Sequence, residues 1–168
     1  MKIQVSILFV LMLFSLANAQ NITIILVRHA EKDTSATAIK NDPDLNDAGR
    51  KRAERLSEIL LKYKPQQIFS TRYRRTRMSA EPLANGIFAD YRLQTQIYNF
   101  DEPETFAAEL LSLKTKCVVV FGHSNTTPAL ANLLVKQNKY KDLADSEYDK
   151  IFIFKIKGEK IKDEVITY

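Results

Sequence analysis

The fold is decided by residues 22–31, Ile22-Thr23-Ile24-Ile25-Leu26-Val27-Arg28-His29-Ala30-Glu31. Six β-branched or aliphatic residues in a row, with no alternation of charged groups, is the pattern of a strand buried on both faces. Such a strand belongs inside a sheet covered by helices. It stops at an arginine and a histidine. In open α/β sheets, ligands gather at the carboxyl ends of the strands. The residues just after each buried run are therefore where chemistry is sought.

A second run of the same kind is Cys117-Val118-Val119-Val120-Phe121, and it stops at Gly122-His123-Ser124-Asn125. Between the two runs the periodicity changes. Asn46 can cap a helix reaching about Tyr63, with Ala53, Leu56, Ile59 and Leu60 on one face. Pro65 closes it, and Gln67–Ser70 reads as a short strand. A second helix is expected from about Arg74 to Asn85, with Gly86 as its stop. Residues 87–103 fit no single period. Pro103 then suits the first turn of a helix carrying Phe106, Ala107, Leu110 and Leu111. A helix from about Thr127 to Val135 comes after the second buried run. Residues 136–147 are polar and loop-like. Ile151–Ile156 and Ile161–Tyr168 predict a hairpin turning at Lys157-Gly158-Glu159-Lys160. Strands alternating with helices predict an α/β protein, a three-layer α/β/α sandwich with a mostly parallel central sheet. The 168 residues, 45% hydrophobic and 27% charged, suit one ordinary globular domain.

That domain is expected to occupy residues 20–168. Lys2, the apolar run Ile3–Leu16 and the small residues of Ala17-Asn18-Ala19 form a secretory signal peptide pattern. Cleavage is expected after Ala19, giving a secreted or periplasmic protein. The run is shorter than the roughly 20 residues of a spanning helix, so no membrane association is expected after cleavage. Removing the segment costs one charged residue, Lys2, from a formal net charge of +5. The remaining positive balance steers anionic partners. No basic stripe interleaved with aromatics suggests nucleic acid. The single cysteine, Cys117, lies within an apolar run and reads as a buried thiol. Nothing in the spacing of histidines, cysteines and carboxylates suggests a metal site.

Both histidines of the chain, His29 and His123, stand just after buried strands. Arg28 precedes the first, and Thr71-Arg72-Tyr73-Arg74-Arg75 comes after the short strand. Phosphoryl transfer is the chemistry that uses this set. Guanidinium forks hold phosphate oxygens. Histidine can attack phosphorus and carry the group covalently. Free backbone N–H groups at a helix start favour an anion.

These blocks resemble the histidine phosphatase superfamily, which includes phosphoglycerate mutases and the small phosphohistidine-phosphatase-like branch. Arg28-His29-Ala30-Glu31 is similar to its signature, with alanine where glycine is usual. Ser70-Thr71-Arg72-Tyr73-Arg74-Arg75-Thr76-Arg77-Met78-Ser79-Ala80 resembles its second block, which places the second phosphate arginine on Arg75. Gly122-His123-Ser124 resembles the third, and Leu45-Asn46-Asp47-Ala48-Gly49 the opening of its first helix. The resemblance implies a phosphoric monoester hydrolase in which His29 is phosphorylated and water then releases phosphate. Arg28, Arg75 and His123 would complete the pocket, with no metal or organic cofactor. The family's glutamate acid has no clear counterpart. Asp101, Glu102, Glu104 and Glu31 are the available carboxyls, and Asp101 is preferred because its loop can turn toward the pocket. Ser124 and Glu31 are further substrate-binding candidates, although Glu31 and Lys32 also suit an ion pair shaping the loop. Ser124 and Asn125 suit a helix cap. Arg72, Arg74 and Arg77 read as a solvated face, and Tyr73 and Tyr98 as packing residues. The expected substrate is a phosphorylated small molecule or a phosphoprotein. A non-catalytic phosphoanion-binding module and a phosphomutase stay open as alternatives.

Overall fold

A computed structural model describes residues 21–35, 37–86 and 92–168. The expected signal peptide lies outside these residues. The first buried run forms β1 (Asn21–Arg28), and Asn46 opens α1 (Asp47–Leu61) by accepting a hydrogen bond from the Gly49 N–H at 2.8 Å. Next come β2 (Gln67–Ser70) and α2 (Arg74–Ala84), stopped at Gly86 with φ 63°. The ambiguous region contributes β3 (Thr95–Ile97), and Pro103 begins α3 (Pro103–Ser112). The second buried run forms β4 (Cys117–Gly122), and α4 (Thr126–Val135) comes next. The chain ends in β5 (Lys150–Lys157) and β6 (Lys160–Thr167), joined through Gly158 at φ 57°.

The six strands form one sheet ordered β3-β2-β4-β1-β5-β6. Its two faces separate the apolar residues by parity, as a period of two requires. Ile22, Ile24 and Leu26 of β1 pack with Phe106 and Leu110 of α3 and Leu130 and Leu134 of α4. Ile25 and Val27 face the other way, toward Leu56 and Leu60 of α1 and Leu83 of α2. This is the expected three-layer α/β/α arrangement. Each fully buried Leu or Ile contributes about 1.5–3 kcal/mol.

Two expectations are corrected. The sheet is mixed, not mostly parallel: β3, β2, β4 and β1 run parallel, but β5 pairs antiparallel with both β1 and β6. Among the described residues, no helix lies between α4 and β5 to carry the chain back across the sheet. The strand therefore enters from the ligand edge and runs the opposite way. The second correction concerns α4. Asn125 occupies its cap position but makes no side-chain cap bond, because its backbone is already helical at φ −99°, ψ −43°. Thr126 Oγ1 accepts from the His123 N–H instead, at 2.9 Å.

Candidate active site

Strand register brings the two histidines together. Arg28 of β1 is paired with Gly122 of β4, and the His29 N–H donates to the Gly122 carbonyl at 2.9 Å. His29 and His123 therefore leave adjacent parallel strands side by side, their rings 5.4 Å apart and inclined at 69°. Ser70 of β2 pairs with Phe121, which delivers α2 to the same edge. From its first turn the Arg75 guanidinium reaches both rings. Nε lies 3.3 Å from His29 Nε2, and Nη2 lies 3.4 Å from His123 Nδ1. A cavity of about 420 Å³ opens here, lined by Arg28, His29, Arg75, Asp101, His123 and Ser124.

The nitrogen that His29 presents is set by its neighbours. Nδ1–H donates to the Ala30 carbonyl at 2.7 Å, leaving the Nε2 lone pair toward Arg75. Burial pushes the His29 pKa down to about 3. The Ala30 carbonyl opposes this, and the positive groups at His123, Arg75 and Arg28 add to it. Burial, then Arg75 and Arg28, lower His123 to about 4. Both rings are thus neutral at neutral pH, as an attacking nitrogen requires. The Ala30 N–H donates to Ser79 Oγ at 2.9 Å, and Ser79 Oγ donates to the Arg75 carbonyl at 2.7 Å. The start of α1 presses on the same segment. A Cβ on Gly49 would lie 2.2 Å from the Glu31 carbonyl oxygen, so the close approach requires glycine.

Arg28 is 5% exposed. Its Nη1 donates to the carbonyls of Ala144 at 2.7 Å, Glu147 at 2.8 Å and Asp145 at 3.3 Å. Its guanidinium carbon stands 4.0 Å above the Tyr148 ring. Nε is buried without a hydrogen-bond partner among the described residues. A buried unpaired donor costs about 1–3 kcal/mol, which an anion accepting from that edge would offset.

The family model of the histidine phosphatase superfamily (branch 1) matches residues 24–101, from β1 through the arginine block to Asp101. Over that stretch, just under half of the chain, the sequence is similar to the histidine phosphatase superfamily. A phosphatase is the class of activity that this likeness supports. No curated protein matches the sequence significantly. Among solved structures, a candidate alpha-ribazole-5'-P phosphatase from Escherichia coli K-12 is 12% identical, with a TM-score of 0.71 over 89% of this chain and 97% of that one. The protein histidine phosphatase SixA, complexed with tungstate, is 11% identical, with a TM-score of 0.66 over 87% and 97%. The native mycobacterial glucosyl-3-phosphoglycerate phosphatase is 15% identical, with a TM-score of 0.63 over 89% and 99%. At these identities the likeness establishes a shared fold.

The remaining candidates divide. Asp101 and Ser124 line the cavity. Glu102 is drawn aside by Asn99, whose Nδ2 donates to its carboxylate at 2.8 Å, and Glu104 sits in the first turn of α3 facing another groove. Glu31 is not brought to the cavity. Arg52 grips its carboxylate at 2.7–2.9 Å, so the substrate contact expected of it gives way to the loop-shaping ion pair. Arg74 pairs with Asp44, while Arg72 stands 5.6 Å from the Tyr73 ring and 5.7 Å from that of Phe100. Tyr98 stacks on Phe106 at 4.1 Å as a packing residue, but Tyr73 lines the cavity. Sequence reasoning missed Phe100, Asp145, Tyr148 and Thr71. Phe100 adjoins Asp101 and Thr71 comes directly after β2, so both were open to being found. Asp145 and Tyr148 precede a strand instead.

Proposed function

We propose that this protein is a phosphoric monoester hydrolase working through phosphohistidine at His29. The observation that carries this reading is the His29 ring itself. Its Nδ1–H is committed to Ala30, and its Nε2 lone pair faces a cation-lined cavity. Arg28, Arg75 and His123 hold the phosphoryl oxygens. Nε2 attacks phosphorus as the bond from phosphorus to the ester oxygen breaks. Asp101 delivers a proton to the departing oxygen. A water molecule then attacks the phosphohistidine, giving its proton to Asp101, and phosphate leaves with neutral His29 restored. The supporting chemistry is electrostatic, because phosphoryl transfer is governed by positioning and by neutralising equatorial charge. Cations in an accessible cavity suit a phosphorylated small molecule or a phosphoprotein surface. The SixA structure, a neighbour in fold, is complexed with tungstate, an oxoanion, which is in keeping with an anionic substrate.

The test is hydrolysis of an aryl phosphate by wild type and by His29→Ala. The variant should lose about a thousandfold or more, and quenching the wild type in alkaline denaturant should trap base-stable, acid-labile phosphate on the protein. Undiminished turnover by His29→Ala would overturn the mechanism. An inactive wild type that still binds phosphate would favour the binding module. We further propose that the enzyme acts after export, on the strength of the signal pattern in residues 1–19. The mature protein should begin at Gln20; a chain still beginning at Met1 would refute this.

A further inference from the structure

Thr71 comes immediately after β2 and is fully buried. Its Oγ1 lies 3.1 Å from His123 Nε2 and 2.7 Å from Thr76 Oγ1. Thr76, also fully buried, donates its one hydroxyl proton to backbone carbonyls, that of Tyr73 at 2.7 Å and that of Thr71 at 3.3 Å. Toward Thr71 it can therefore only accept. Thr71 then places its own proton on Thr76 and accepts from His123, so His123 carries its proton on Nε2. The other side of the ring gives the same answer independently. Arg75 Nη2 can only donate, so His123 Nδ1, 3.4 Å away, is the acceptor.

We propose that Thr71 is a positioning residue that holds His123 in the Nε2–H tautomer, with Nδ1 turned into the pocket. The proposal rests on the phosphatase reading. His29 has the opposite tautomer, so both lone pairs meet one guanidinium fork. When phosphoryl oxygens take over that fork, His123 Nδ1 gains a proton from solvent or from the substrate monoanion. It donates that proton to the phosphoryl group while Nε2–H stays on Thr71. The charged and titratable groups sharing the cavity with His123 are Arg28, His29, Lys32, Tyr73, Arg75, Asp101 and Asp145, and none of them offers Nε2 an alternative acceptor among the hydrogen bonds of the described residues.

The chain has two histidines, so its imidazole nitrogen spectra are simple. In the wild type near neutral pH, NMR should show one ring protonated on Nδ1 and one on Nε2, the latter persisting in His29→Asn. A Nδ1–H form of His123 would overturn the proposal. Thr71→Val leaves a buried Nε2–H unpaired and should lower kcat/KM by about 10–100-fold. Its alkaline limb should move to lower pH, because the imidazolium loses an acceptor. Thr71→Ser should recover activity to within a few-fold and restore the limb. If Thr71→Val does not fold, the wild-type spectrum and Thr71→Ser decide. Activity that depends on His29 but keeps its pH profile in Thr71→Val refutes this role alone. Activity independent of His29 refutes the phosphatase mechanism and leaves the tautomer result standing.

Discussion

Acidification should destabilise this fold well before its carboxylates are protonated. His29 and His123 are buried as neutral rings, with pKa values of about 3 and about 4 against an ordinary 6.5. Below 6.5 the unfolded chain binds protons that the folded chain refuses, so stability falls as pH drops through that value. At about pH 5 a histidine with so low a folded pKa costs about 2 kcal/mol. His123 lies nearer the surface and contributes no more than that, which gives about 3–4 kcal/mol for the pair. The carboxylates act elsewhere on the scale. Burial would raise the Glu31 carboxyl, but Arg52 outweighs it and holds it low; Arg74 does the same for Asp44, and Lys139 with Tyr140 for Asp163. Their stabilisation is present above the ordinary carboxylate pKa and is lost only below it. Urea unfolding at about pH 7.5 and about pH 5 therefore isolates the imidazoles. The wild type should lose about 3–4 kcal/mol over that interval, and a double variant, His29→Asn with His123→Asn, should lose little. Added phosphate should restore part of the loss by binding the native state. A wild type equally stable at both pH values, or a double variant with the same loss, would refute the reasoning.

Gly49→Ala should destabilise, against helix propensity. The Cβ gains about 1 kcal/mol of propensity but meets the Glu31 backbone oxygen at 2.2 Å, and overpacking of this kind costs about 1–3 kcal/mol. A thermal melt at or above the wild-type midpoint would contradict this. Asp101→Asn should lower turnover of alkyl phosphates by about 10²–10⁴-fold and that of good leaving groups far less; equal losses on both would remove Asp101 as the acid. Tyr148→Leu removes the aromatic face beneath Arg28, worth about 1–2 kcal/mol, and should weaken inhibition by inorganic phosphate about 5–30-fold. Unchanged inhibition would show that the stacking does not position the guanidinium.

Much of this was legible because it rests on local rules. The two continuous apolar runs became the central strands, since burial on both faces requires such a pattern. Asn46, Pro103 and Gly86 act at their own helix ends, so short-range chemistry located them. His29, His123 and Arg75 meet because parallel strands in register end together. Contacts set by tertiary placement were not readable. Arg52, the partner of Glu31, projects from α1, and no local pattern links the two. Asn125 has a capping side chain but a helical backbone, which only the geometry of the preceding turn dictates.

The reversed direction of β5 has a chemical consequence. Ile151 pairs with Val27, so the beginning of β5, not its end, lies beside the carboxyl end of β1. The segment preceding β5 thereby reaches the ligand edge, although the rule that places ligands after the carboxyl ends of strands does not point to it. That segment treats Arg28 differently from the arginines around it. Arg52 and Arg74 are paired with the carboxylates of Glu31 and Asp44, which cancel most of their charge. Arg28 is fixed by three backbone carbonyls and an aromatic face, while the nearest carboxylate, Asp145, is fully exposed and 4.0 Å away. Carbonyl dipoles orient a guanidinium without neutralising it, so its net positive charge stays directed at the cavity. With Nη1 consumed by the loop, Nη2 and the unpaired Nε are the donors left for an anion. An antiparallel strand inserted beside β1 thus turns a buried arginine into an oriented, uncompensated cation next to His29.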